Sequence, residues 1–318
     1  MGPEVDGETT VESERVVGRG EVGVGGEAVA SKAALLNLPR LYIVDSDMTT
    51  GWAQEVFSLP HNAIRRELID LYTILGAVYK RNARTAREED EKFSHWWSVF
   101  SAFVEEYFDI EARILLPLIG PAEEDPVHKQ DIAVLMYQME DARIKLVKKL
   151  REVNEVVEKL FVLPMKDVFP LLCKALDHFV PMLLDYFIEE EDVLPSYILG
   201  FHSLVMKDVI LQKMADFVLV GREPQLFIVM LSAWMDDKEQ LSNWKKKALR
   251  GYNRFINFQR WESKYLRTHK KIVEDFHGSV LRNSRLRSSR LRSSGLRSRS
   301  GLIRSGGLGR RSRGWSRF

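Results

Sequence analysis

The chain contains very little cysteine, since Cys173 is the only one in 318 residues. A single thiol excludes an intrachain disulfide and is typical of a protein in a reducing compartment. Cys173 lies in the apolar run FPLLCKAL, which predicts a buried, inert thiol rather than a nucleophile.

Long apolar runs are also missing. No stretch reaches the roughly 18 uninterrupted apolar residues of a membrane-spanning helix, so no membrane span is expected. The acidic N-terminal stretch MGPEVDGETTVESE has no apolar core, and neither a secretory signal nor a basic transit peptide is expected there. These features predict an intracellular protein, in the cytoplasm or alternatively in the nucleus.

Common catalytic and binding motifs are absent as well. The sequence has no Gly-rich phosphate loop, no G-x-S-x-G nucleophile elbow and no pair of cysteines at zinc-binding spacing. Nothing in the sequence requires catalysis.

Charge is distributed unevenly along the chain. From Leu281 to Phe318 there are 12 arginines, no lysine and no acidic residue, which leaves 35 basic against 45 acidic residues in the rest of the chain. This Arg/Ser-rich tail repeats leucine every five residues, a period that fits neither a helix nor a strand, so we predict that it is disordered. The arginines of this tail predict contact with a polyanion such as nucleic acid.

Four long segments have the apolar spacing of amphipathic helices, and almost nothing has that of a strand. We predict an all-α fold built on an up-down four-helix bundle. The predicted helices cover residues 52–84, 88–118, 126–160 and 167–194.

The composition divides the chain into four parts. We predict a disordered acidic segment over residues 1–50, the bundle over 51–196, a helical extension over 197–278 and the disordered tail over 279–318. The extension is rich in aromatic and basic residues from Trp244 to Lys271. We expect these aromatics to pack inward, with stacking on single-stranded nucleic acid as the alternative.

One polar pattern occurs twice in the predicted bundle. A histidine opens one helix, and a Tyr-x-x-x-Glu pair follows on the next, where residues four apart share a helix face. Two such sets converging in a bundle would form the kind of polar cluster that holds two metal ions. The candidate metal ligands are His61, Tyr107, Glu111, His128, Tyr186 and Glu190.

The register of the fourth helix has two readings. In the second helix the glutamate of the pair lies six residues before Pro117, and the same distance before Pro195 selects Asp185 and Glu189 as the pair. The apolar stripe of the fourth helix instead selects Tyr186 and Glu190. We favour the stripe, which places Glu190 inside. We expect Asp185 and the other acidic residues of the run 189–192 to be solvated or to interact with the helix dipole.

The stretch from Ser58 to Ser196 resembles the hemerythrin-like, HHE cation-binding family. It shares the histidines at the starts of two helices and the Glu-containing helix ends EARILLPLI and EEEDVLPSY. The resemblance implies a four-helix bundle with a non-haem di-iron centre. Tyr107 and Tyr186 stand where that family has histidine.

This departure leaves three hypotheses. We favour a divergent bundle with a weakened or vestigial metal site and no cofactor, acting as an interaction or scaffold module for a protein partner. The alternative is a non-haem iron protein that carries or senses iron, O₂ or a related small molecule, with tyrosine oxygen among the ligands. The third is polyanion binding through residues 244–318.

Overall fold

The computed structural model describes residue 39 and residues 41–44, 51–119, 126–249 and 251–278, with only the backbone for residues 126–129 and 252–255. Within these residues the secondary structure is helical, without a strand, which confirms the predicted all-α class. The predicted disordered segments lie almost wholly outside the described residues.

The described residues form α-helices joined by short connections. The helices are α1 (Gly51–Lys80), α2 (Arg87–Ile110), α3 (Pro126–Glu158), α4 (Met165–Phe201), α5 (Val205–Val220), α6 (Pro224–Met230), α7 (Lys238–Ala248) and α8 (Tyr252–Tyr265). A π-helical turn, Glu111–Leu115, and a 3₁₀ turn, Leu116–Leu118, extend α2, and a second π turn, Leu266–Lys270, extends α8.

The first four helices contact each other in a closed ring. Helix α1 contacts α2 and α4, and α3 contacts the same two helices from the other side. Their predicted apolar stripes form the core: Ile64, Leu68 and Leu71 of α1 are fully buried, as are Leu146 and Leu150 of α3. Burial of these stripes stabilises helices that would be marginal in isolation.

Local signals fix several helix ends. Helix α2 begins after Ala86, whose backbone N–H donates to the Glu89 carboxylate at 2.9 Å. Three acidic residues follow in its first turn, where their negative charge interacts favourably with the positive end of the helix dipole. The reversal between α1 and α2 uses left-handed backbone at Asn82 and Ala83.

The fourth helix is longer than predicted. The sequence pattern ended it at Leu194, before Pro195, but α4 continues to Phe201 and contains three prolines. Each proline removes one backbone hydrogen bond. The buried stripe on both sides of Pro195, which includes Leu194 and Ile198, holds the helix together across that gap.

The extension packs on the ring. Helix α5 contacts α1, α2, α6 and α7, and α6 contacts α8. The aromatic side chains Trp244, Phe258 and Tyr265 are buried, which confirms that they pack inward. The Arg/Ser-rich tail lies outside the described residues, and its contact with polyanions stays a prediction.

Candidate functional site

A cluster of buried polar side chains occupies the centre of the four-helix ring, and we call it the polar core cluster. Its members come from α1, α2 with its π turn, and α4. They are His61, Arg65, Tyr107, Glu111, Tyr186, Glu190 and Glu191, and each is at most 5% exposed.

His61 lies at the centre of this cluster. Its Nδ1 is 2.8 Å from Oε1 of Glu191, and its Nε2 is 2.7 Å from the Tyr107 hydroxyl and 3.1 Å from Oε2 of Glu190. The ring of Phe187 stacks on the imidazole with 4.1 Å between centroids. Both ring nitrogens therefore already have polar partners.

Arg65 holds the adjacent carboxylate. Its guanidinium donates two hydrogen bonds to Glu191, at 2.7 and 2.9 Å, in the forked geometry that suits a carboxylate. Arg65 also donates to Oδ1 of Asn62 at 3.3 Å. Glu191 thus links two cationic side chains of α1 to α4.

The two Tyr-x-x-x-Glu pairs are hydrogen-bonded crosswise. Tyr107 of α2 donates to Glu190 of α4, and Tyr186 of α4 donates to Oε1 of Glu111 at 2.5 Å. Each tyrosine therefore bonds the glutamate of the other helix rather than the one four residues further along its own.

Burial and neighbouring charges set the protonation states. Burial lowers the pKa of His61, but the hydrogen bonds and charges of Glu190 and Glu191 outweigh it and raise that pKa above 6.5. Burial, followed by the charge of Glu190, raises the pKa of Glu111 well above 4.5. Both shifts favour the protonated form, a cationic His61 and a neutral Glu111.

The two phenols are held in the protonated form. Burial, followed by the negative charge of Glu190, raises the pKa of both Tyr107 and Tyr186 well above 10. Both hydroxyls therefore act as neutral hydrogen-bond donors to the carboxyl groups of Glu190 and Glu111.

The side chains described here do not fit the iron centre that the family resemblance implies. The hydroxyls of Tyr107 and Tyr186 each bond one carboxyl oxygen, of Glu190 and Glu111 respectively. The other oxygens of these two side chains, Oε1 of Glu190 and Oε2 of Glu111, are the carboxyl oxygens of the cluster without a partner. Among the described residues, no group of three His, Cys, Asp or Glu side chains is placed to hold a metal ion. The side chain of His128 lies outside the described residues.

The structure resolves the register of α4. Tyr186 and Glu190 are buried, whereas Asp185, Glu189 and Asp192 are exposed, as the stripe predicted. The prediction was wrong for Glu191, which was placed in the solvated run. Glu191 is one position away from the stripe, and it is buried because that side of α4 faces His61 and Arg65 of α1.

A second buried polar cluster joins α1 to the C-terminal part of the chain, and sequence analysis missed it. Glu67 accepts from the Tyr265 hydroxyl at 3.1 Å and lies 2.8 Å from Nε2 of His269, while Lys270 pairs with Asp70. Glu67 and Tyr265 are 198 residues apart. The sequence contained one local signal, the Tyr-x-x-x-His spacing of 265 and 269, which repeats the spacing of the paired motif. This spacing places the two side chains on one helix face but does not identify Glu67 as their partner.

Replacing Tyr265 with phenylalanine should lower the free energy of unfolding by about 1–2 kcal/mol, because a buried carboxylate loses a hydrogen bond. Chemical denaturation of the full chain measures this. The matched control is Tyr137→Phe, since Tyr137 is 75% exposed and its change should stay within about 0.5 kcal/mol. Equal effects of the two substitutions would contradict a structural role for the second cluster.

The chain was compared with protein-family models, with curated proteins and with solved structures, and none of them matches it. In the part of the chain that the structure describes, every helix is too short or too polar to cross a membrane.

Proposed function

We propose that this chain is a divergent hemerythrin-like bundle whose centre is held by hydrogen bonds in place of a metal, and that it acts as an interaction or scaffold module. The observation that carries the proposal is the crosswise bonding of Tyr107 to Glu190 and of Tyr186 to Glu111. Each tyrosine stands at a position where the family has a metal-binding histidine.

The charges of the polar core cluster support a structural role. The cations of Arg65 and His61 are matched by the carboxylates of Glu190 and Glu191, and the protonated Glu111 adds no charge. Buried charges are tolerated when they are paired and hydrogen-bonded. The charges of these side chains neutralise one another without a metal ion, and their hydrogen bonds hold α1, α2 and α4 in one register.

Apolar side chains on the surface support an interaction role. Val134, Tyr137 and Ile144 are at least half exposed, and their spacing of three and seven residues places them on one face of α3. Phe161 and Val162, after α3, are also exposed. Large apolar side chains exposed along one helix face are typical of a binding surface.

Restoring histidine at both tyrosine positions tests the metal part of the proposal. The Tyr107→His, Tyr186→His double variant should bind about two iron ions per chain, because imidazole replaces a neutral phenol at two ligand positions. The matched control is Tyr107→Phe, Tyr186→Phe, which should bind none. Iron content and the visible spectrum are measured after anaerobic loading with ferrous iron and exposure to air.

Two results would go against the proposal. A wild-type chain that retains iron and shows a tyrosinate-to-iron charge-transfer band would establish the alternative, a non-haem iron protein with tyrosine ligands. A double-histidine variant that stays free of iron would show that the positions do not correspond to those of the hemerythrin-like family.

A further inference from the structure

A groove runs along the outside of the ring between α2 and α3, and we call it the α2–α3 groove. It consists of two cavities of about 520 and 600 Å³ that share Glu105. The first lies between residues 91–105 of α2 and residues 154–161, and the second lies between residues 105–109 of α2 and residues 143–151.

The walls of this groove are single helix faces. On α2 the lining residues recur every three or four positions from Glu91 through Ser98 and Glu105 to Asp109. On α3 they recur in the same way from Ile144 through Arg151 to Val157. The distance along α2 from Glu91 to Asp109 is about 27 Å at about 1.5 Å per residue, enough for about five turns of a third helix.

One half of the groove is mainly apolar. Trp97 and Val157 line it, with Glu91 and Glu158 among its polar residues, and the Trp97 indole N–H donates to Asn154 at 2.7 Å. Small side chains such as Ser98 and Ala102 leave room above that floor. At the end of this half, Phe161 is 62% exposed.

The other half is basic. Four cations, Arg143, Lys148, Arg151 and Arg222, line it together with the acids Glu105 and Asp109. Arg222 pairs with Glu105 at 2.5 Å, and Arg143 pairs with Glu140 outside the groove. Lys148 and Arg151 form no ion pair with a described residue. This half therefore carries a net positive charge, because its acidic residues do not neutralise all of its basic residues.

We propose that the α2–α3 groove binds an amphipathic helix of another protein, with apolar side chains against the Trp97 half and acidic side chains against Lys148 and Arg151. The inference rests on the proposed interaction function and names the partner's chemistry. Helix-in-groove recognition uses apolar anchors three or four residues apart, and the basic half fixes the orientation through charge complementarity.

Site-specific photo-crosslinking of the full chain in its native cells tests this. A benzoylphenylalanine replaces Ser98 in the apolar half or the uncharged Ile144 in the basic half, and linked peptides are sequenced by mass spectrometry. Both positions should link to one amphipathic helical segment of one protein, with its acidic residues nearest position 144. Arg151→Glu should lower the yield at position 98 about ten-fold, and the control Lys174→Glu on α4 should leave it unchanged.

The other outcomes separate the two proposals. Links to residues 1–50 or 279–318 of this chain would show that its own segments occupy the groove and would overturn the inference. Links to another protein from a probe at the exposed Leu171 of α4, with none from the groove, would contradict binding in the α2–α3 groove. They would still support the proposed interaction or scaffold function. No link from any of the three positions would count against both.

Discussion

Replacing Glu191 with alanine should lower the free energy of unfolding by about 3–5 kcal/mol, because the substitution leaves the buried cations of Arg65 and His61 without their shared carboxylate. Glu191 accepts two hydrogen bonds from Arg65 and one from His61. Urea denaturation of the full chain at neutral pH measures the change.

Glu189 provides a matched control for this experiment. It lies two positions earlier on the same helix and is exposed, so Glu189→Ala should change the stability by less than about 0.5 kcal/mol. A loss below about 1 kcal/mol for Glu191→Ala would mean that water reaches Arg65 and His61 and that the cluster is not buried.

The same carboxylate predicts a loss of stability in acid. Burial alone would raise the pKa of Glu191, but the hydrogen bonds and charges of His61 and Arg65 lower it from 4.5 to about 2. A lowered pKa stabilises the fold above pH 4.5, and that contribution, about 3 kcal/mol, disappears as the pH falls towards 2. The Glu191→Ala variant should lack this part of the acid transition.

Glu111→Gln should have the opposite kind of effect, a gain in stability that grows with pH. Folded Glu111 keeps its proton because burial and Glu190 raise its pKa, whereas unfolded Glu111 releases it above about pH 4.5. The wild-type fold therefore loses about 1.4 kcal/mol per pH unit above pH 4.5, up to the folded pKa. Glutamine has the same shape and no proton to lose.

The measurement is the difference in unfolding free energy between Glu111→Gln and wild type at pH 5, 6, 7 and 8. Taking the difference cancels the contribution of His61, whose raised pKa stabilises both proteins below pH 6.5 and is lost as the pH rises. Glu189→Gln serves as the exposed control and should give no trend. A difference that does not vary with pH would show that folded Glu111 is ionised.

Local patterns predicted the helices and most of the polar core cluster, with Arg65 and Glu191 as the exceptions. The apolar stripes of α1 and α4 placed His61, Tyr186 and Glu190 inside, because helical periodicity alone decides which face is buried. The same rule assigned Glu191 to solvent. It failed there because a helix between two neighbours is buried over more than one stripe.

The second buried polar cluster could not be predicted from the sequence, for a different reason. Glu67 meets Tyr265 and His269 only because α8 and its π turn return to α1, and no local spacing reports a contact between distant parts of a chain. The extension of α4 past Pro195 has a similar origin, since packing rather than propensity maintains that helix.

Asn62 has a consequence for where the smallest stable piece of this protein begins. Its side-chain amide is fully buried, accepts from the backbone N–H of Val44 at 2.9 Å and donates to the Val44 carbonyl at 2.8 Å, just as a neighbouring strand would. A fragment that begins at Gly51, the first residue of α1, would leave the Asn62 side-chain N–H without its Val44 acceptor and would leave Oδ1 with Arg65 as its donor. The natural boundary for expression or limited proteolysis therefore lies before residues 41–44 rather than at the first turn of α1.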